Sequence, residues 1–159
     1  MKPSEYLKKY ATAFVIACES SPLFPSVKIA QAALETGWGA HVVGNNLFGI
    51  KATGSHTPYW NGDYVTAGTS EYANGSYNSQ SSNFRAYDSM GDSIRDHSYL
   101  LETLGRYEPV RNSTTPEEQA RALQNCGYAT DPSYANKLIS IINTYNLKQY
   151  DEKKSDEVF

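Results

Sequence analysis

The chain has 159 residues, 40% of them hydrophobic and 19% charged, with a net charge of −3. That balance fits one domain of the ordinary soluble kind, long enough to bury a core. It excludes the basic excess that wrapping nucleic acid requires, and no run approaches the roughly 20 apolar residues of a membrane span. The 13 tyrosines suit a polar groove that stacks on flat ligands such as sugar rings, and suit half-wet packing positions equally well.

In chain order, MKPSEYLKKYATAFVIAC places lysines ahead of a short apolar stretch, as a secretory leader does. Tyr6, Tyr10, Phe14 and Ala17 nevertheless recur at helical spacing, and Glu19 follows without a small-residue cleavage site. A first amphipathic helix is therefore predicted from Ser4 to about Glu19, ended by Ser20, Ser21 and Pro22. No signal peptide is read here. A second helix is predicted from Pro25 through VKIAQAALET, apolar on most sides and so central to the core, with Gly37 where a left-handed residue closes it. Between Ala40 and Tyr87 glycine, asparagine, serine, threonine and tyrosine dominate, predicting loops and short strands. Asn74-Gly75 marks a type I′ hairpin turn, which needs positive φ at both positions, with DYVTAGTSEY and SYNSQSSNFRAY as its strands. After Asp88, Ile94, Leu101 and Leu104 space an apolar helical face that Gly105 is expected to end. Thr115-Pro116-Glu117-Glu118 combines an N-cap, proline in the first turn and a third-position glutamate, opening a helix to about Cys126. Asp131-Pro132 repeats that signal before a last helix that buries Ala135, Leu138, Ile142 and Tyr145. The charged, aperiodic KQYDEKKSDEVF is expected to fray. The spacing of Cys18 and Cys126 settles no disulfide, and two thiols are the expected state. The fold class is mainly α (α+β): a helical domain with a small β-hairpin lobe inserted, and a cleft between lobes for an extended substrate.

Glu35 ends the second helix within QAALETGWG. The negative end of the helix dipole disfavours a second negative charge there, and apolar neighbours with the ring of Trp38 add desolvation. Both effects favour a neutral acid near pH 7, as proton donation to a glycosidic oxygen requires; a solvated helix-end glutamate is the plainer alternative. Glycoside cleavage usually calls on a second carboxylate, and Glu71 on the first hairpin strand is the candidate, with Asp63 in reserve. A Cys-His peptidase would need Cys126 or Cys18 with His41, His56 or His97, and Cys126 falls at a helix C-terminus, where the dipole opposes a thiolate. The three histidines are scattered, so no metal site and no cofactor are expected.

ALETGWG (33–39), NNLFGIKA (45–52), the TSEY-NG-SY hairpin (69–77), FRAYDSMGDSIRDH (84–97) and GYATDPSYANKL (127–138) together resemble the successive motifs of bacterial glycoside hydrolase family 73. That family is the β-N-acetylglucosaminidase domain of flagellar-rod muramidases, autolysins and phage lysins. The resemblance spans roughly residues 5 to 147, so a hydrolase domain is expected over 1–147, with 148–159 as a flexible tail. It implies a lysozyme-like fold and hydrolysis of the bond after N-acetylglucosamine in peptidoglycan. The expected partner is thus a glycan strand, met by a monomer at the cell wall by an unknown export route. It assigns Glu35 as general acid, with Thr36 where many members have serine, Glu71 as base or nucleophile, and Tyr128 to the catalytic centre. Asn46 and Phe48 are expected on the cleft floor, and Tyr59 and Trp60 to stack on glycan, with Trp38 and Tyr134 also facing substrate. Phe48 serves equally as a core ring and Trp60 as a loop anchor. Inversion through water and retention through the substrate's acetamido group both stay open, as do a non-catalytic glycan-binding module and a lytic transglycosylase.

Overall fold

A computed structural model of the protein describes residues 1–152. Helix α1 (Pro3–Ala17) buries Tyr6, Ala11, Phe14 and Val15 on one stripe. Helix α2 (Pro25–Thr36) is buried along nearly its whole length and packs against α1 and two later helices, α5 (Pro116–Asn125) and α6 (Tyr134–Thr144). Its apolar composition on most sides is thus satisfied by neighbours on several sides. Strands β1 (Tyr64–Ala73) and β2 (Ser76–Arg85) pair antiparallel, Tyr64 opposite Arg85 and Ala73 opposite Ser76. Helix α3 (Met90–Thr103) follows, then a 3₁₀ turn (Gly105–Tyr107) and the short α4 (Glu108–Arg111).

Local chemistry accounts for most boundaries. Gly37 ends α2 at φ 58°, and Trp38 N–H reaches back to the Ala33 carbonyl at 3.0 Å, closing the last turn in the Schellman manner. Trp38 is itself left-handed at φ 56° and Gly39 follows at φ 84°, so the chain turns away just after Glu35. Asn74 at φ 53° and Gly75 at φ 81° form the hairpin turn. The Thr115 side chain accepts from Glu118 N–H at 3.1 Å, while the Glu118 carboxylate accepts from Thr114. The core gathers Phe14, Val27, Ile29, Leu123, Leu138 and Ile142, all buried; each such side chain contributes about 2 kcal/mol relative to exposure.

Three expectations are corrected. Leu104 does not join the α3 face: the chain turns extended there (φ −73°, ψ 131°) and leaves the side chain exposed. The 3₁₀ turn and α4 carry no pattern long enough to signal them. The last helix opens at Tyr134 instead of Asp131-Pro132, because the Asp131 side chain accepts from Ser133 N–H at 2.8 Å and makes a turn first. Tyr145 caps that helix half-buried. The first residues of the expected tail include a contact back to the domain. The Asp151 carboxylate accepts from both Ser26 N–H (2.8 Å) and Ser26 Oγ (2.7 Å), placing an anion at the start of α2, where the dipole favours one. The remainder of the expected tail, 153–159, lies outside the described residues. Cys18 is buried and Cys126 half-buried, with no disulfide between them.

Candidate active site

Glu35 projects from the last turn of α2, and the loop following the helix folds back across it. Asn46 makes that return path. Its Nδ2 donates to the carbonyls of Ile50 (2.9 Å) and Arg85 (3.0 Å), and its Oδ1 accepts from the N–H groups of Phe48 and Ile50, each at 3.2 Å. With its side chain so occupied, buried Asn46 holds the loop's shape. The loop then brings Gly49, at φ 63°, against the acid: a β-carbon there would lie 2.1 Å from Glu35 Oε1 and 2.3 Å from Cδ. Only glycine permits that approach.

Glu35 as a whole residue remains exposed, which leaves it open to an incoming substrate, while the protein packed around its carboxyl strips water from that end. Burial first, and the Glu71 charge second, raise its pKa from 4.5 to about 7, with the Lys51 charge opposing. Glu71, on β1, has the opposite fate. Lys51 Nζ donates to its Oε1 at 2.6 Å and Thr130 Oγ1 to its Oε2 at 2.6 Å. Burial alone would raise its pKa, but these bonds and the Lys51 charge outweigh burial and hold it below the usual value. One carboxyl therefore keeps its proton near neutrality and its partner loses it, the division of labour that acid catalysis needs.

The hairpin spans the cleft because its tip is held on the far side. Tyr72 N–H donates to Thr130 Oγ1 at 3.2 Å, Tyr77 Oη donates to Asp131 Oδ1 at 3.0 Å, and Lys137 pairs with Asp131. Beside this contact Tyr128 stacks on Tyr134 (centroids 5.8 Å, 24° between planes). Tyr134 Oη accepts from Gln31 Nε2 at 3.0 Å, and Gln31 lies one helical turn before Glu35. The Tyr128 phenol is raised well above its usual pKa, by burial first and then by the charges of Tyr134 and Glu35; it lies within electrostatic reach of the acid.

The other expected site residues make packing and hydrogen-bond contacts of their own. The Trp38 ring packs edge-on against Tyr6 (5.7 Å) and Tyr145 (4.7 Å), pinning the end of α2 to α1 and α6. Phe48 is buried and stacked on His97 at 3.7 Å. Trp60 is buried with the Arg85 guanidinium 3.9 Å over its ring, and its Nε1 donates to the Asp63 carbonyl at 2.8 Å. Of that pair only Tyr59 presents surface, beside Arg95 and Tyr99. Asp63 precedes the base of β1, roughly 25 Å along the strand from Glu71. A depression of about 410 Å³ lined by Tyr6, Tyr10, Val42 and Leu47 contains neither glutamate. Among the described residues no three His, Cys, Asp or Glu side chains gather as a metal site would need.

Gly49, Lys51, Thr130 and Gln31 were not singled out from the sequence. Gly49, Lys51 and Thr130 lie inside the family motifs, and Gln31 lies four residues before the acid, which was the available signal.

A helical domain with a hairpin lobe, holding one carboxyl of raised pKa and one of lowered pKa in its cleft, is the arrangement that glycoside hydrolases use. Comparison with known proteins agrees. The family profile described as mannosyl-glycoprotein endo-beta-N-acetylglucosaminidase, or glucosaminidase, matches residues 11–147, and the chain belongs to that family. It is 39% identical over 158 residues to the peptidoglycan hydrolase FlgJ of Salmonella typhimurium, covering 95% of this chain and 48% of FlgJ. To the exo-glucosaminidase LytG of Bacillus subtilis it is 37% identical, covering 86% and 49%. The chain thus spans about half the length of these curated relatives. Among solved structures, a peptidoglycan hydrolase mutant from Sphingomonas sp. A1 superposes with a TM-score of 0.78 at 38% identity, covering 92% of this chain and 96% of that one. The catalytic domain of the Listeria monocytogenes autolysin Auto gives 0.72 at 33%, covering 95% and 90%.

Proposed function

We propose that the chain hydrolyses the β-1,4 bond after N-acetylglucosamine in peptidoglycan glycan strands, with Glu35 as the general acid. The observation that carries this is the pair of opposed carboxyls: Glu35 with a pKa near 7 and Glu71 held ionised by Lys51 and Thr130. Glu35 gives its proton to the leaving oxygen as the bond to the anomeric carbon breaks. Both oxygens of Glu71 are already accepting hydrogen bonds, which weakens it as a base. Attack by the substrate's own 2-acetamido oxygen on the anomeric carbon is therefore the favoured route, with Glu71 stabilising the positive charge that develops. Water then attacks the anomeric carbon and opens the cyclic intermediate, giving a proton to the Glu35 carboxylate and so restoring the acid. The Tyr128 ring packs on the sugar beside the acid, and Tyr134, held by Gln31, backs it.

Asn46 and Phe48 act here by holding the Gly49 loop, and Tyr59 is the aromatic side chain offered to glycan outside the catalytic centre. The enzyme works at the bacterial cell wall, a reading that the names of its relatives support, and does so as a monomer. Its folded unit, expected over residues 1–147, extends at least to Asp151.

Digestion of purified peptidoglycan, read by mass spectrometry, is expected to yield fragments with N-acetylglucosamine at a reducing end. An anhydro sugar would indicate a transglycosylase, and binding without cleavage a glycan-binding module. The anomer first released is expected to be β; release of α would make Glu71 a base that activates water. A sedimentation mass of one chain is expected.

A further inference from the structure

Behind the aromatic wall of the cleft lies a buried cation that the chemistry above does not use. Lys28, on α2, is 1% exposed. Its Nζ lies 2.5 Å from His97 Nδ1 and donates to Ser98 Oγ at 2.8 Å, with the Phe48 ring 5.1 Å away. Burial lowers the Lys28 pKa to about 8, against the influence of Cys18 and Glu102, so the ammonium keeps its charge at neutral pH. An ammonium has donors and no acceptor. His97 Nδ1 must therefore accept, and the proton of a neutral imidazole must sit on Nε2. Burial and then the Lys28 charge hold the His97 pKa well below its usual value, which keeps the ring neutral.

Lys28 thus turns His97 into a donor at Nε2, and that donor is buried with no partner among the described residues. A second buried atom in the same condition is Tyr128 Oη. The two rings meet edge to face at 6.0 Å. One group has a hydrogen to give and the other has lone pairs to receive it. Leaving both unpaired inside a protein is costly.

We propose that His97 Nε2–H donates to Tyr128 Oη, directly or through one bridging water, and that Lys28 imposes the tautomer that permits it. The phenol oxygen then accepts from behind, and its own hydrogen is left to point toward the Glu35 side of the ring, within electrostatic reach of the acid. The other tautomer would draw the phenol hydrogen inward and present only lone pairs to the acid. Lys28 and His97 are positioning residues; neither touches the sugar. The inference rests on Glu35 as the general acid, as set out under Proposed function.

Long-range ¹H–¹⁵N correlation spectra of the full chain, labelled at histidine, are expected to show His97 as the Nε2–H tautomer at pH 7. An Nδ1–H tautomer or an imidazolium would overturn the proposal whatever the activity. In kinetics, Lys28→Met, a straight apolar replacement, is expected to mix the tautomers. Its kcat is expected to fall roughly tenfold, the worth of one hydrogen bond, with KM within about twofold. In a Tyr128→Phe background the same change is expected to cost nothing further. A Lys28→Met enzyme with mixed tautomers and full kcat would refute the positioning role. His97→Gln, whose amide can accept from Lys28 and donate to Tyr128, is expected to retain kcat, and decides the matter if Lys28→Met fails to fold; a tenfold loss there counts against the proposal. Full activity in Tyr128→Phe would remove the phenol from the site, an outcome separate from the tautomer reading.

Discussion

Gly49 and Glu35 meet with no side chain between them: the α-carbon of the first faces the carboxyl of the second so closely that a β-carbon would stand 2.1 Å from Oε1. The loop that Asn46 ties to Ile50 and Arg85 supplies this contact, and the contact helps to strip water from the acid. Gly49→Ala is therefore expected to displace the carboxyl and strain a backbone at φ 63°. Activity on cell walls is expected to drop at least about a hundredfold, the scale of a 1 Å misplacement. Stability is expected to fall by about 1 kcal/mol or more in urea unfolding. A variant with wild-type kinetics would show that the contact is dispensable.

The pH dependence follows from the sign of the Glu35 shift. Its folded pKa, about 7, lies above the ordinary 4.5. The protonated form favours folding, and that contribution is fully present below pH 4.5 and lost as pH rises through about 7. Glu35→Gln, neutral at every pH, is expected to gain in Tm relative to the wild type progressively across that window while abolishing turnover. The wild-type kcat/KM is expected to decline as pH passes about 7, where the acid ionises. A Tm difference flat across the window would refute the assigned shift.

Lys51 and Glu71 act on Glu35 in opposite directions, the first lowering and the second raising its pKa. Lys51→Met is expected to move the alkaline limb of the pH–rate profile to higher pH, and Glu71→Gln to lower pH. With acetamido assistance, Glu71→Gln is expected to lose less activity than Glu35→Gln. Equal and total loss in both variants would instead make Glu71 indispensable to the chemistry. Unshifted limbs in active variants would mean the two carboxyls are electrostatically independent.

Asp151 caps α2 from beyond the predicted domain boundary. Asp151→Ala is expected to lower stability by about 1 kcal/mol, the usual worth of a helix N-terminal cap, with kcat unchanged. Truncation after residue 147 is expected to lower Tm at least as much. An unchanged Tm in the truncated chain would restore the shorter boundary.

Elements whose signals are local were legible. Pro25 and Gly37 bracket α2, Asn74-Gly75 makes the turn of the hairpin, and Thr115 caps α5, because φ preferences and hydrogen bonds within a few residues decide each. The position of Glu35 at a helix end beside an apolar stretch belongs to the same category. The aromatic residues were harder to read: the sequence places Trp38, Phe48 and Trp60 near the cleft but does not say which way a ring points. Tyr6 and Tyr145 take the first, His97 the second and Arg85 the third.

What the sequence by itself determined was the five longer helices, the hairpin and the place of Glu35 at the end of α2. Only the tertiary structure decided that Gly49 lies against that acid, and that Lys51 and Thr130 hold Glu71 from two sides. The physical reason is range. Residues 51, 71 and 130 are brought within hydrogen-bond distance by the packing of a whole lobe, whereas periodicity and capping record only what neighbours along the chain do to each other.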